Sequence, residues 1–163
     1  MFFINKKNIP LDCMTTYARF VCTYRAEKEE KNRTRLTVGG NIITDHEGDV
    51  TTNTAGLELI KIHWCSVLSS EYAKYMTMYI VNFYLNTTLG QYQYMRINVN
   101  DVPQEVIDQY KLYELNLVHN KFVFVKIQKT LFGLKQSGVL FNKQLSKVLV
   151  KEGYFQSEHM SGL

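Results

Sequence analysis

The sequence predicts an α+β fold, and three observations carry that prediction. Two early stretches, "TYARFVCTYR" (16–25) and "RTRLTVGGN" (33–41), alternate residue types with a period of two. "AGLELIKIHWCSVLS" (55–69) and residues 139–151 instead place apolar side chains on one helical stripe. "KFVFVKIQ" (121–128) is dense in Val, Ile and Phe, the composition of a strand. Strands and helices are mixed along the chain without a regular βαβ alternation.

The 163 residues suffice for one domain, or for part of a larger one. With 45% hydrophobic residues the chain can build a core, and disorder is not expected. Nineteen basic residues against fifteen acidic ones give a net charge of +4, which permits a polyanionic partner without demanding one. Cys13, Cys22 and Cys65 match no zinc spacing, so reduced and mostly buried thiols are expected. No leader peptide is evident at the start, and no apolar run is long enough for a membrane span. Both point to an intracellular chain with no membrane partner.

Each element follows in order. Residues 16–41 read as a long hairpin whose tip is the charged run "AEKEEKNR". Ala18, Phe20, Cys22 and Tyr24 share one face of its first strand; Tyr17, Arg19, Val21 and Thr23 share the other. Residues 42–54 form a loop. A helix over 55–69 carries the stripe Leu57, Ile60, Trp64, Val67 and Leu68. Residues 74–81 are an apolar strand, "NFYLNTTLG" (82–90) a turn and "YQYMRIN" (92–98) a second strand. Pro103 opens a helix over 103–112. Strand 121–128, the loop "GLKQSG" (133–138) and a helix over 139–151 follow, with Phe141, Leu145, Val148 and Leu149 on one helical face.

Five stretches in this order resemble the reverse transcriptase domain of copia-type retrotransposons. They are "RTRLTVGGN" (33–41), "TTNTAGLELIK" (51–61), "NFYL" with "YMRI" (82–85, 94–97), "LFGLKQSG" (131–138) and "LFNKQLSKVLVKEGY" (140–154). "GLKQ" followed by a helix and "GY" is the most diagnostic. The resemblance implies a single partial domain over residues 1–163 of the right-hand polymerase type. Its fingers hairpin and loop would cover about 16–54, and an incomplete palm, an antiparallel sheet packed on helices, about 55–163. It also implies RNA-directed DNA synthesis as the family activity, an RNA/DNA template-primer and a nucleoside triphosphate as partners, and further polyprotein segments.

That chemistry needs two divalent cations on carboxylate oxygens, magnesium in the intact family. The resemblance places the first carboxylate on strand 74–81, where this chain has Tyr79, a poor ligand when neutral. The nearest acids are Glu71 and Asp101, off the strand register. The family's Asp-Asp hairpin is expected beyond Leu163. No catalytic residue is therefore intact, no cofactor is expected to bind, and the chain alone is expected to be inactive.

By the same resemblance, Arg33 and Arg35 grip the triphosphate, as guanidinium forks suit phosphate. Tyr84 packs under the sugar, and Lys135 and Gln136 line nucleotide and template. The bland readings are a solvated strand face, a core aromatic and a capping loop. Two rival functions stand beside the polymerase fragment. One is a non-catalytic nucleic-acid-binding module using Arg33, Arg35 and the helix lysines Lys143, Lys147 and Lys151. The other is a decayed product without function.

Overall fold

The computed structural model describes residues 1–43, 50–51, 55–78 and 80–156, apart from the side chains of Phe83 and Tyr84. The hairpin forms where alternation puts it: β2, Thr15–Tyr24, pairs antiparallel with β3, Asn32–Val38, from Ala18↔Val38 to Tyr24↔Asn32. Its charged tip is closed by Arg25, which donates to Glu30 at 2.7 Å. The first residues of β2 do something the sequence did not announce. Thr15, Thr16 and Tyr17 pair in parallel with Tyr94, Met95 and Arg96 of β4, Thr88–Asn98. One strand thus serves two neighbours, joining the hairpin to the remaining sheet.

β4 pairs antiparallel with β6, Phe122–Lys129. Short strands β1, Phe2–Ile4, and β5, Val118–His119, also lie on β6. The path is β1-β6-β4-β2-β3. The fold is α+β as expected, but the sheet is mixed: the parallel β2–β4 pair corrects the expectation of a purely antiparallel one. β1 was missed because three residues are too short for periodicity to register.

The core lies on one side of this sheet. Met95, Val123 and Ile127 are completely buried there, beside Ile97 and Val125, and Val38 reaches them from the hairpin base. α2, Gln104–Gln109, adds Ile107, and the turns after it add Leu112. This helix is shorter than the predicted 103–112 because Lys111 adopts φ 49°, outside the helical region. α3, Ser137–Lys151, buries Phe141 and packs Leu140 on the core, with Leu145 and Leu149 half-buried. Val148, expected on that face, is exposed.

Two expectations fail in the middle of the chain. α1, Leu57–Ser69, forms as predicted but contributes no buried residue, so it is not the helix beneath the sheet that the resemblance implies. Residues 74–78 and 80 have no regular structure, against the predicted strand over 74–81. The physical reason is pairing. β4 has β6 on one side and β2 on the other, so its strand edges are taken. The segment therefore finds no place between the paired strands, and residues 74–78 are exposed. Tyr75 instead packs its ring on α1, 5.6 Å from Trp64 and 5.9 Å from His63. The thiols also depart from expectation: Cys22 and Cys65 are exposed and Cys13 is half-buried. No helix among the described residues is long and apolar enough to cross a membrane.

Candidate nucleotide and nucleic-acid site

The expected site residues come from two stretches almost a hundred positions apart, and the fold joins them. At the end of β3 the Val38 N–H donates to the Phe132 carbonyl at 2.7 Å. Two glycines permit this approach. A Cβ on Gly40 would collide with the Gly133 carbonyl oxygen, and one on Gly133 would collide with that of Val38. Gly133 also has φ +98°, a conformation side chains resist. "TVGGN" and "LFGLKQSG" therefore fit each other as backbones, while Leu131 and Leu134 anchor the loop in the core.

Arg35 is exposed on β3 with its guanidinium 5.7 Å from the Phe132 ring centroid, within cation–π range. Arg33 is half-buried two residues earlier and shares its face. Lys135 is exposed and lines a cavity of about 290 Å³ with Phe132, Gly133, Ser137, Gly138 and Val50. Gln136 precedes α3, and its side-chain oxygen is buried with no hydrogen-bond partner. An unmade hydrogen bond of this kind costs about 1–3 kcal/mol. Ser137 secures the loop by donating to the Leu131 carbonyl at 3.0 Å.

The backbone of Tyr84 lies in the 3-10 turn Phe83–Asn86, which packs against α3 and β6. Thr130 N–H donates to the Thr87 carbonyl at 2.7 Å just beyond it. The structure thus brings Arg35 to Phe132 of the loop that carries Lys135 and Gln136, while no contact joins Arg33 to that loop among the described residues. The Tyr84 side chain and all of Tyr79 lie outside the described residues.

Among the described residues no three His, Cys, Asp or Glu side chains converge. The cations present are suited to anions instead. Sequence reasoning passed over several of them. Arg96 lies 5.1 Å from the Phe122 ring centroid, and Lys126 Nζ lies 3.9 Å from that of Tyr92. The signal was available in the period-two spacing of 92/94/96 and 122/124/126, but only the pairing register shows that these rows meet. Beside them Tyr94 is buried, and desolvation pushes its phenol above the usual tyrosine range, helped by the negative potential of Cys13, Asp12 and Tyr92.

Comparison of the chain with family models, with curated proteins and with solved structures finds no match.

Proposed function

We propose that this chain is the fingers and front of the palm of a copia-type reverse transcriptase, holding template-primer and nucleoside triphosphate without polymerising. One observation supports it above the rest: Arg35 lies over Phe132 of the loop that carries Lys135, although nearly a hundred residues separate them. A triphosphate needs cations from two sides, and these two segments supply them. The absence of synthesis rests on Tyr79, which stands where the resemblance asks for Asp.

The test is binding to an RNA–DNA hybrid with a recessed primer end, followed across salt, with primer extension in magnesium alongside. The expected result is salt-sensitive binding, weakened by Arg35→Gln and Lys135→Gln, and no extension. Extension by the unaltered chain would sink the inactive reading; absent hybrid binding would sink the whole.

A non-catalytic nucleic-acid module is the second reading. It is favoured by α3, where Lys143, Lys147 and Lys151 are all exposed at four-residue spacing and form one basic row. Phosphate contacts through this row would lower the hybrid affinity of a triple Lys→Gln variant and flatten its salt dependence.

A further inference from the structure

None of the six strands contains an Asp or Glu, although the chain has 15 acidic residues. The strands do carry cations, and the registers collect them on one side. Residues on β2 and β3 that are partners share a face, so Arg19, Arg33 and Arg35 lie together with Val21, Thr23 and Thr37. Tyr17 is the partner of Arg96, which carries that face onto β4. Tyr94↔Lys126 and Asn98↔Phe122 carry it onto β6. This side is opposite to Met95, Ile97, Val123 and Val125, which form the core. The described ion pairs are Arg25–Glu30 and Lys111–Glu114, and neither includes these five cations. Asp12, in the loop before β2, is the carboxylate whose charge is felt nearby, at Tyr94.

Aromatic rings stand among the cations. Tyr17 and Tyr92 are exposed, and Phe122 is half-buried under Arg96. From β3 to β6 is three strand spacings, roughly 14 Å. Strand residues that set cations and rings around the buried Tyr94 and Phe124, with no Asp or Glu among them, suit a chain of phosphates and bases.

We propose that this cation-bearing side of the sheet is a track for single-stranded nucleic acid. Phosphates lie on Arg19, Arg35 and Arg96, and bases stack on Tyr17, Tyr92 and the Arg96–Phe122 pair. The inference deepens the nucleic-acid reading above and rests on it, but it is tested at Arg19, Arg96, Tyr17 and Tyr92, which lie outside the Arg35–Lys135 site, so the two fail separately.

The experiment is fluorescence anisotropy of the full chain with a labelled oligothymidylate of about fifteen residues, titrated across salt. Each phosphate contact contributes a slope of about −0.7 in log affinity against log salt, so Arg19→Gln with Arg96→Gln should flatten the slope by about 1.4. Arg96→Lys should keep the slope. Tyr17→Ala and Tyr92→Ala should each lower affinity about tenfold with the slope unchanged, because stacking is not ionic. An abasic strand of equal length should bind more weakly than the thymidylate. All substituted side chains are exposed, and a melting curve for each variant verifies folding.

The track is overturned if the unaltered chain does not bind the thymidylate. It is also overturned if the double Arg variant keeps the full slope, or if the abasic strand or polyglutamate binds equally well. Hybrid binding that depends on Arg35 and Lys135, with a slope indifferent to Arg19 and Arg96, would leave the nucleotide site standing without the track. Thymidylate binding through Arg96 with no hybrid binding would leave the track without the nucleotide site.

Discussion

The sheet and the segment from 55 to 78 have similar apolar content and opposite fates. Along β4 and β6, Met95, Val123 and Ile127 are completely buried. From 55 to 78 no residue is buried at all: Leu68 is 87% exposed, Tyr72 88% and Met76 61%. The difference teaches that amphipathicity states a demand and topology supplies the partner. The sheet strands answer one another through ladders on both edges, and each ladder fixes which side faces in. α1 has a stripe with no buried residue, and Tyr75 from the segment that follows packs on its Trp64 and His63.

The comparison can be broken hardest at the sheet. Met95 sits at the crossing of β2, β4 and β6, paired with Thr16 and Val125. Met95→Ala should destabilise by about 2–5 kcal/mol, through lost transfer energy and an unfilled cavity. Denaturant unfolding monitored by circular dichroism checks this. A change under about 0.5 kcal/mol would mean that this centre is not the core it looks like.

Gly133→Ala comes next, at about 1–3 kcal/mol, from the positive φ and the collision with the Val38 carbonyl. It should also lower hybrid affinity, since it parts Arg35 from the Lys135 loop. Gly90→Ala is the control, because a Cβ there meets nothing within 4 Å. Equal losses in the two variants would dissolve the claim that the glycines matter through their contact.

These two predictions also show how much was legible in advance. The hairpin, α1, β4, β6 and α3 could be read because each is a periodic run long enough to average over exceptions. The predicted strand over 74–81 had the right composition, but a strand is a relation between segments, and residues 74–78 and 80 pair with none. The parallel β2–β4 pair was invisible for the same reason: nothing in "TTY" names a neighbour. The site was half legible. Motif order singled out Arg35 and Lys135, and the chemistry of glycine explains why they can meet. Arg19, Arg96 and Lys126 carried no motif and became visible only through register.

A smaller effect distinguishes the sheet's outer side from open solvent. Tyr94 is buried among Cys13, Asp12 and Tyr92, and its phenol titrates above the usual value of about 10. Here the folded chain holds the proton more tightly than the unfolded one. The associated stability is fully present below the unfolded value and is lost as pH rises through the raised native one. Melting temperature should therefore fall at strongly alkaline pH, and tyrosinate absorbance should show one late-titrating group. In Tyr94→Phe that late group should vanish. A titration unchanged by the substitution would show that Tyr94 is open to water.

The smallest effects belong to α1, and their smallness is informative. Leu68→Ser removes a large apolar side chain from a helix, a change that at a core position would cost several kcal/mol. At 87% exposure Leu68 has almost no contacts to lose, so the expected change is within about 0.5 kcal/mol, or slightly stabilising if exposed apolar surface drives self-association. Trp64→Ala should cost slightly more, because the edge-to-face contact with Tyr75 contributes about 0.5–1.5 kcal/mol where it forms. Denaturation midpoints at two protein concentrations check both. Near-neutral substitutions at both concentrations would place α1 outside the cooperative unit that Met95 anchors. A loss of 2 kcal/mol or more for Leu68→Ser, well beyond the ~0.5 kcal/mol of a surface site, would mean that α1 packs in solution against something the described residues do not provide, and the contrast between the two regions would close.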